Sequence, residues 1–245
     1  MTFLSKKKII IFVPAYNVEK KIYSVISRIP DNIFNKNHVS ILIINDFSSD
    51  NTKIEIKNIK KDFNYDIEVF EANKKLGYGG VQKYAFSYAI NNHFDYIIML
   101  HGDGQYSPEK IPDFIEQLHN ENLDGVFGSR MKSYSSALKG GMPIYKFLGN
   151  IGLTFIQNLI LGSKMSEFHS GYRSYKVQSL KLIEFNKMTN CYHFDTEIII
   201  EFLKKKLTIL EIYIPTFYGD EVSHLKSIPY GLKVLLSTLK SKFTK

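Results

Sequence analysis

Only one cysteine, Cys191, occurs in the 245 residues. A lone thiol excludes an internal disulfide framework and suits a reducing compartment. Long apolar runs are missing too: no stretch reads as the roughly 20 apolar residues that a membrane span takes. The N-terminus passes from Lys6-Lys7-Lys8 straight into Ile9–Val13, too short for a signal-peptide core and without a small-residue cleavage site. The expectation is a cytoplasmic protein. No repeat or low-complexity linker divides the first half of the chain. The formal charge is +8, yet the lysines are dispersed and no nucleic-acid motif is recognisable, so nucleic acid is not expected as a partner. The positive balance reads either as surface lysines alone or as attraction to nucleotides or phospholipid.

What is present is enough apolar material for a sizeable core: 44% hydrophobic and 14% aromatic residues. The chain is organised around Tyr96-Ile-Ile-Met-Leu-His-Gly-Asp-Gly-Gln-Tyr-Ser-Pro-Glu109. Ile97–Leu100 is purely apolar and reads as a strand buried on both faces. It breaks into His101-Gly102-Asp103-Gly104-Gln105, and Ser107-Pro108-Glu109 carries the start signals of a helix. One carboxylate and one amide therefore fall at the carboxyl end of a central strand, where open α/β sheets bind ligands.

Three similar units precede it. Strands at Ile9–Val13, Val39–Ile44 and Ile67–Phe70 end in polar loops: Pro14-Ala15-Tyr16-Asn17, then Asn45-Asp46-Phe47-Ser48-Ser49-Asp50, then Asn73 to Gly80. A helix-like stretch follows each. Four strand–loop–helix units in succession predict a mostly parallel α/β sheet with helices on both faces and one shared edge of loops. Singly, each loop admits a structural role. Asp46, Asp50 and Asp103 could cap the helices that follow, and Gly77-Tyr-Gly79-Gly80 could be a tight turn.

In order and spacing these loops resemble the family 2 glycosyltransferases, which have the GT-A fold, and within them the dolichyl-phosphate mannosyltransferase-like branch that glycosylates polyprenyl phosphates. The resemblance runs from about Ile9 to Ser223. It implies a nucleotide-sugar donor held by Pro14, Ala15, Tyr16, Glu19, Asp46, Gly77, Gly102 and Asp103, with Asp46 on the base. Asp103 and Gln105 match the last acid and the glutamine of the family's Asp-x-Asp-x-Gln run and imply a divalent metal, Mn²⁺ or Mg²⁺. His101 stands where the run has its first acid. A neutral imidazole there could join the metal or hydrogen-bond a ribose, and its lack of charge shifts preference toward Mn²⁺.

The second half carries the acceptor side of the resemblance. Asp124-Gly-Val-Phe-Gly-Ser-Arg130 places an arginine on phosphate oxygens, a task that suits its planar fork of donors. Ser133–Pro143 reads as a mobile loop. Lys146 and Asn150 fall where the branch holds the acceptor phosphate with an arginine and a serine. Ile151–Leu161 reads as a core helix, with contact to a lipid tail as the alternative. Glu167-Phe-His-Ser170-Gly171-Tyr-Arg173 matches the segment beside donor sugar and acceptor, where relatives carry a general base. His193-Phe-Asp195-Thr-Glu197 opens a helix whose two acids, two residues apart, cannot both face the site. Pro215–His224 resembles the closing loop of the family. The implied catalytic set is Arg130, Lys146, Glu167, Asp195 and Glu197; the implied acceptor set is Arg130, Lys146, Asn150, Ser170, Gly171 and Arg173.

The expected organisation is one GT-A domain over residues 1–225, with the donor half to about 130, followed by a helix over 226–245. Leu232, Leu235, Leu236 and Leu239 recur at helical spacing among lysines. Such a helix either lies on an anionic membrane or docks on the body. The expected activity is inverting transfer from a GDP- or UDP-sugar to a polyprenyl phosphate. Transfer to a hydroxyl of a cell-surface glycan, and an inactive sugar-nucleotide-binding scaffold, are the competing readings.

Overall fold

A computed structural model describes residues 6–120, 122–219 and 227–243. In chain order its elements are β1 (Lys8–Ala15), α1 (Ile22–Ser27), α2 (Asn32–Lys36), β2 (His38–Asn45), α3 (Thr52–Asp62), β3 (Asp66–Glu71), α4 (Tyr78–Asn91) and β4 (Tyr96–Met99). A 3₁₀ turn at Pro108–Lys110 leads into α5 (Ile111–Leu118), then β5 (Gly125–Ser129), α6 (Tyr134–Lys139) and α7 (Ile144–Leu161). The rest comprises β6 (Arg173–Lys176), α8 (Val177–Leu180), α9 (Phe194–Lys204), β7 (Ile209–Tyr213) and α10 (Ser227–Lys240).

The seven strands form one sheet in the order β3-β2-β1-β4-β6-β5-β7. All neighbours are parallel except β6, which runs antiparallel to both β4 and β5. Ile11 sits opposite Ile41 on one side and Ile98 on the other. The continuous apolar runs follow from burial on both faces. Ile9, Ile11 and Val13 face a layer with Val25 and Phe114, whereas Ile10 and Phe12 face Phe86, Ile97 and Phe194.

The fold class expected from the sequence is present, with additions that the sequence did not announce. The strand β6, Arg-Ser-Tyr-Lys, has no apolar run, yet Arg173, Ser174 and Tyr175 are all buried. The stretch expected as a mobile loop holds α6, capped by the Ser133 hydroxyl accepting from the Ser136 amide, with Ala137 buried beneath it.

The main correction concerns α7. It was expected as a core helix over Ile151–Leu161, but its buried residues are Asn150, Thr154 and Gln157. Its apolar side chains point outward, with Leu148 at 60%, Phe155 at 68% and Leu159 at 73% exposure. By length and composition alone this 18-residue helix, mean hydropathy 1.2, is long and apolar enough to cross a membrane. The helix α10 packs against α7 and α9 through Val234 and Thr238, and leaves Ile228, Leu232, Leu236 and Leu239 exposed. It is thus docked on the body and apolar on its far side.

Candidate active site

The loops after β1 and β2 are stitched into one surface. Asn17 Oδ1 accepts from the Ser49 amide (2.9 Å), and the Thr52 hydroxyl accepts from the Val18 amide (2.8 Å). Glu19 lends Oε2 to the Asn51 amide at 2.8 Å, while its own amide donates to Asp50 at 3.1 Å. Burial pushes the Asp50 carboxyl up, but its bonds from Thr52 and the Glu19 amide outweigh this and hold it below its usual value. Glu19 therefore caps the start of α3. Ala15 is fully buried, its carbonyl taken by the Asp46 amide at 2.8 Å.

Asp46 does not cap its own helix. Its two carboxylate oxygens accept from the amides of Leu76 (2.5 Å) and Gly77 (3.1 Å), fixing the glycine turn that starts α4. Gly77 has φ +79°, and a Cβ there would lie 2.7 Å from the Asn190 carbonyl oxygen. Only glycine fits that approach. Over this turn, the Lys75 ammonium sits 3.5 Å from the centre of the Tyr16 ring. Tyr192 joins the same mouth. Burial raises its phenol pKa, and Lys75, Asp103, Tyr16 and Asp46 all act on it electrostatically.

The β4 loop closes the floor. Gly102 donates to the Pro14 carbonyl at 3.2 Å, so the β1 and β4 loops touch. Asp103 Oδ1 accepts from the Gln105 amide at 3.0 Å, an Asx-type turn. His101 is packed edge-on to Tyr106 at 4.9 Å, and its Nε2 is buried with no partner among the described residues. A Cβ on Gly171 would lie 2.7 Å from that Nε2 and 2.8 Å from the Tyr78 hydroxyl. Burial lowers the His101 pKa and keeps the ring neutral, although Asp103 pulls the other way. Among the described residues no three His, Cys, Asp or Glu side chains gather as a metal cage. Asp103 with Gln105 is a sparse oxygen set, and it fits a hard cation whose remaining ligands are phosphate oxygens.

Beside this floor lies a buried ion pair. Glu167 accepts from the Arg130 amide at 2.7 Å and from Arg130 Nε at 3.0 Å, with a further short bond from Nη2. Asn150 Nδ2 adds a fourth donor at 2.7 Å, its amide oriented by the Thr154 hydroxyl at 3.2 Å. Burial opposes ionisation of both partners, but their mutual attraction wins. It holds the Glu167 carboxyl below and the Arg130 guanidinium above its usual value. Arg130 also donates to the Tyr218 hydroxyl and the His169 carbonyl, each at 3.1 Å. Lys146 stands over the ring of the same Tyr218, 4.9 Å from its centre. Glu211 on β7 anchors the segment by accepting from the amides of Ser166 (2.7 Å) and Glu167 (3.1 Å).

The acids that open α9 diverge, as their spacing requires. Asp195 turns inward and accepts from Tyr78 Oη (2.7 Å) and Gln82 Nε2 (2.8 Å). Glu197 instead accepts from the Thr189 amide at 2.8 Å, bracing the loop that backs the glycine turn. Arg173, expected on the acceptor side, is 1% exposed and faces inward. Its donors go to the carbonyls of Phe168, Ser170 and Asp195, at 2.8 to 2.9 Å. It ties the 168–170 segment to α9. Ser170 is buried with it, and Gly171 donates to the Tyr106 hydroxyl at 2.8 Å. The closing-loop residues from Asp220 to His224 lie outside the described residues.

Sequence reasoning missed Tyr78, Gln82, Tyr106, Tyr192 and Glu211, because each acts through a distant partner. The one sequence signal was polar residues in otherwise apolar helices, as with Gln82 in α4.

Polar loops gathered along one edge of a doubly wound sheet, with a buried arginine next to them, are the arrangement of a GT-A glycosyltransferase. Residues 10–183 match the profile of glycosyl transferase family 2, and the chain belongs to that family. It is 28% identical, over 99% of both chains, to a UDP-N-acetylglucosamine–dolichyl-phosphate N-acetylglucosaminyltransferase of Methanococcus voltae. It is 30% identical over 63% of its length to the low-salt glycan biosynthesis hexosyltransferase Agl6 of Haloferax volcanii, 36% of which is covered. In fold it is similar to the glucosyl-3-phosphoglycerate synthase of Mycobacterium tuberculosis solved with UDP, with TM-score 0.69, 15% identity, and coverage of 98% of this chain and 81% of that one. A complex of that synthase with Mn²⁺, UDP and glucosyl-3-phosphoglycerate gives TM-score 0.66.

Proposed function

We propose that this glycosyltransferase moves a sugar from a UDP- or GDP-sugar to the phosphate of a polyprenyl-phosphate-type lipid, with inversion at the anomeric carbon. A phosphate oxygen of the acceptor forms the new bond to that carbon, and the nucleoside diphosphate leaves with the electron pair of the old one. The observation that carries this reading is the state of the two buried acids. Glu167 is engaged by four donors from Arg130 and Asn150, and each Asp195 oxygen accepts one bond, from Tyr78 or Gln82. Arg130 holds the Glu167 carboxyl below its usual value, so it is not poised to take a proton. A hydroxyl acceptor needs a base, whereas a phosphate is already anionic. The full-length similarity to a transferase named for dolichyl phosphate supports the same acceptor.

In this reading Pro14, Tyr16, Asp46, Gly77 and Gly102 shape the donor pocket, and Tyr192 stacks at its mouth. Asp103 and Gln105, with His101 beside them, would hold a divalent cation, Mn²⁺ or Mg²⁺. When bound, that cation neutralises the leaving diphosphate. Arg130 and Lys146, which meet at Tyr218, would take the acceptor phosphate, while Glu167 and Asn150 keep the guanidinium aimed. Positioning and fixed charge then supply the catalysis.

The outward apolar faces of α7 and α10 fit a protein lying on the cytoplasmic face of a membrane, where such a lipid is found. The polar row Asn150, Thr154 and Gln157 docks inward on the body, which favours a helix lying along the surface over one crossing it. Lys233, Lys240 and Lys242 are exposed nearby and suit anionic headgroups.

A donor screen by thermal shift tests the reading, using UDP-, GDP- and CDP-sugars with Mn²⁺, Mg²⁺ or chelator. One nucleotide should stabilise the chain in a metal-dependent way, and Asp103→Ala should abolish the effect. No stabilisation by any donor, in folded protein, counts against it and favours the scaffold reading.

A further inference from the structure

Tyr230 belongs to none of the loops that form the cleft. It sits on α10, whose outer face is apolar, yet its hydroxyl is 3.0 Å from His169 Nδ1 and its ring stands edge-on to that imidazole at 5.7 Å. The backbone carbonyl of His169 accepts from Arg130 Nη2 at 3.1 Å. The imidazole is held neutral by burial, which pushes its pKa down to about 4. A neutral ring meets the tyrosine hydroxyl through Nδ1 as donor or as acceptor, according to its tautomer, and the hydroxyl can serve either one. From the other side α7 reaches the same pair, through Asn150 to Glu167 at 2.7 Å. The two helices also pack on each other: a Cβ added at Gly231 would lie 3.5 Å from Leu153 Cδ1, and Gln157 donates to the Thr238 hydroxyl at 3.5 Å. The helix α7 thus sends the buried Asn150 to Glu167, and α10 sends the half-buried Tyr230 to His169, whose carbonyl meets Arg130.

We propose that Tyr230 is a positioning residue for Arg130: its hydroxyl fixes His169, whose carbonyl in turn fixes the guanidinium, so the docking of α10 sets the aim of the acceptor-side arginine. This rests on the reading above that Arg130 faces the acceptor phosphate. A tail helix outside the β1, β2 and β4 loops thereby acts through the 167–171 segment on the acceptor side. Packing alone does not account for the arrangement, because a phenyl ring would fill the same space without the hydroxyl contact.

The experiment compares wild type with Tyr230→Phe, using a short-chain, water-soluble polyprenyl phosphate without vesicles, so that membrane binding does not enter. Loss of one neutral hydrogen bond corresponds to a change of about fivefold. The acceptor KM should rise by about that factor. Donor KM and acceptor-independent donor hydrolysis should stay at wild-type values. An unchanged acceptor KM overturns the proposal, as does a parallel loss of donor and acceptor parameters, which a general structural role would give. The geometry is read separately by ¹⁵N NMR of the unliganded chain. The Arg130 Nε resonance and the His169 ring nitrogens should both shift in Tyr230→Phe; an unmoved Arg130 signal overturns the proposal even if kinetics change. If wild type itself transfers nothing to any polyprenyl phosphate, the functional reading fails, and the NMR arm still decides whether Tyr230 positions Arg130.

Discussion

Asn150 donates to the Glu167 oxygen that also receives Arg130 Nε, so a helix with an outward apolar face helps hold the buried ion pair of the cleft. The surface of α7 and the chemistry of the site are parts of one arrangement.

Glu167→Gln should therefore be severe. It leaves the Arg130 charge buried without its counterion, and removing one partner of a buried pair costs about 3–5 kcal/mol. Urea unfolding should show a loss of that order together with loss of transfer. A stability change below about 1 kcal/mol, on the scale of an exposed pair, would mean that the pair is not the internal clamp described.

Gly171→Ala tests the close packing between the 168–171 segment and the β4 loop. The added methyl meets His101 Nε2 at 2.7 Å and the Tyr78 hydroxyl at 2.8 Å. Overpacking of this kind costs about 1–3 kcal/mol. The thermal midpoint should fall and donor-induced stabilisation should weaken. Wild-type values for both would show that the site has slack there.

His169 gives the protein a defined pH dependence. Its pKa falls from 6.5 to about 4 on folding, because it is buried beside Arg130 and Arg173, with Glu167 opposing the shift. Between those values the unfolded chain binds a proton that the folded chain does not, so stability rises with pH across that window. From pH 5 to pH 7 the gain from this residue is about 2 kcal/mol. Denaturation at the two pH values, repeated on His169→Gln, should show the difference shrink by that amount. An unchanged difference would assign the slope to other groups.

The outward face of α7 predicts vesicle binding. Replacing Leu148, Phe155 and Leu159 by Gln should reduce partition to anionic vesicles more than tenfold, since each large apolar side chain contributes about 1.5–3 kcal/mol when buried. The variant should unfold at the wild-type temperature or above it, because these side chains are already exposed. A lowered midpoint with unchanged partition would contradict the membrane reading.

The sheet was legible because Ile9–Val13, Val39–Ile44 and Ile97–Leu100 are apolar without interruption, a pattern that burial on both faces demands. The loops were legible because Pro14-Ala-Tyr-Asn17, Asn45-Asp46 and His101-Gly102-Asp103 break those runs abruptly. What stayed hidden depends on long-range pairing. β6 is buried through Arg173, whose charge is satisfied by three carbonyls from other segments, and no local pattern announces that. The roles of Asp46 and Asp195 also depend on partners 30 or more residues away. α7 misled for another reason: apolar periodicity marks which face differs but not which face is inside.

The acceptor is the central claim, and it is tested most directly by offering the enzyme a polyprenyl phosphate and the polyprenol of equal chain length, with labelled UDP- and GDP-sugars and Mn²⁺. Label should move into the lipid phase with the phosphate alone, as an acid-labile glycosyl phosphate. Transfer to the alcohol at a comparable rate would require a working base, and it would contradict an account in which Glu167 and Asp195 are both committed as hydrogen-bond acceptors.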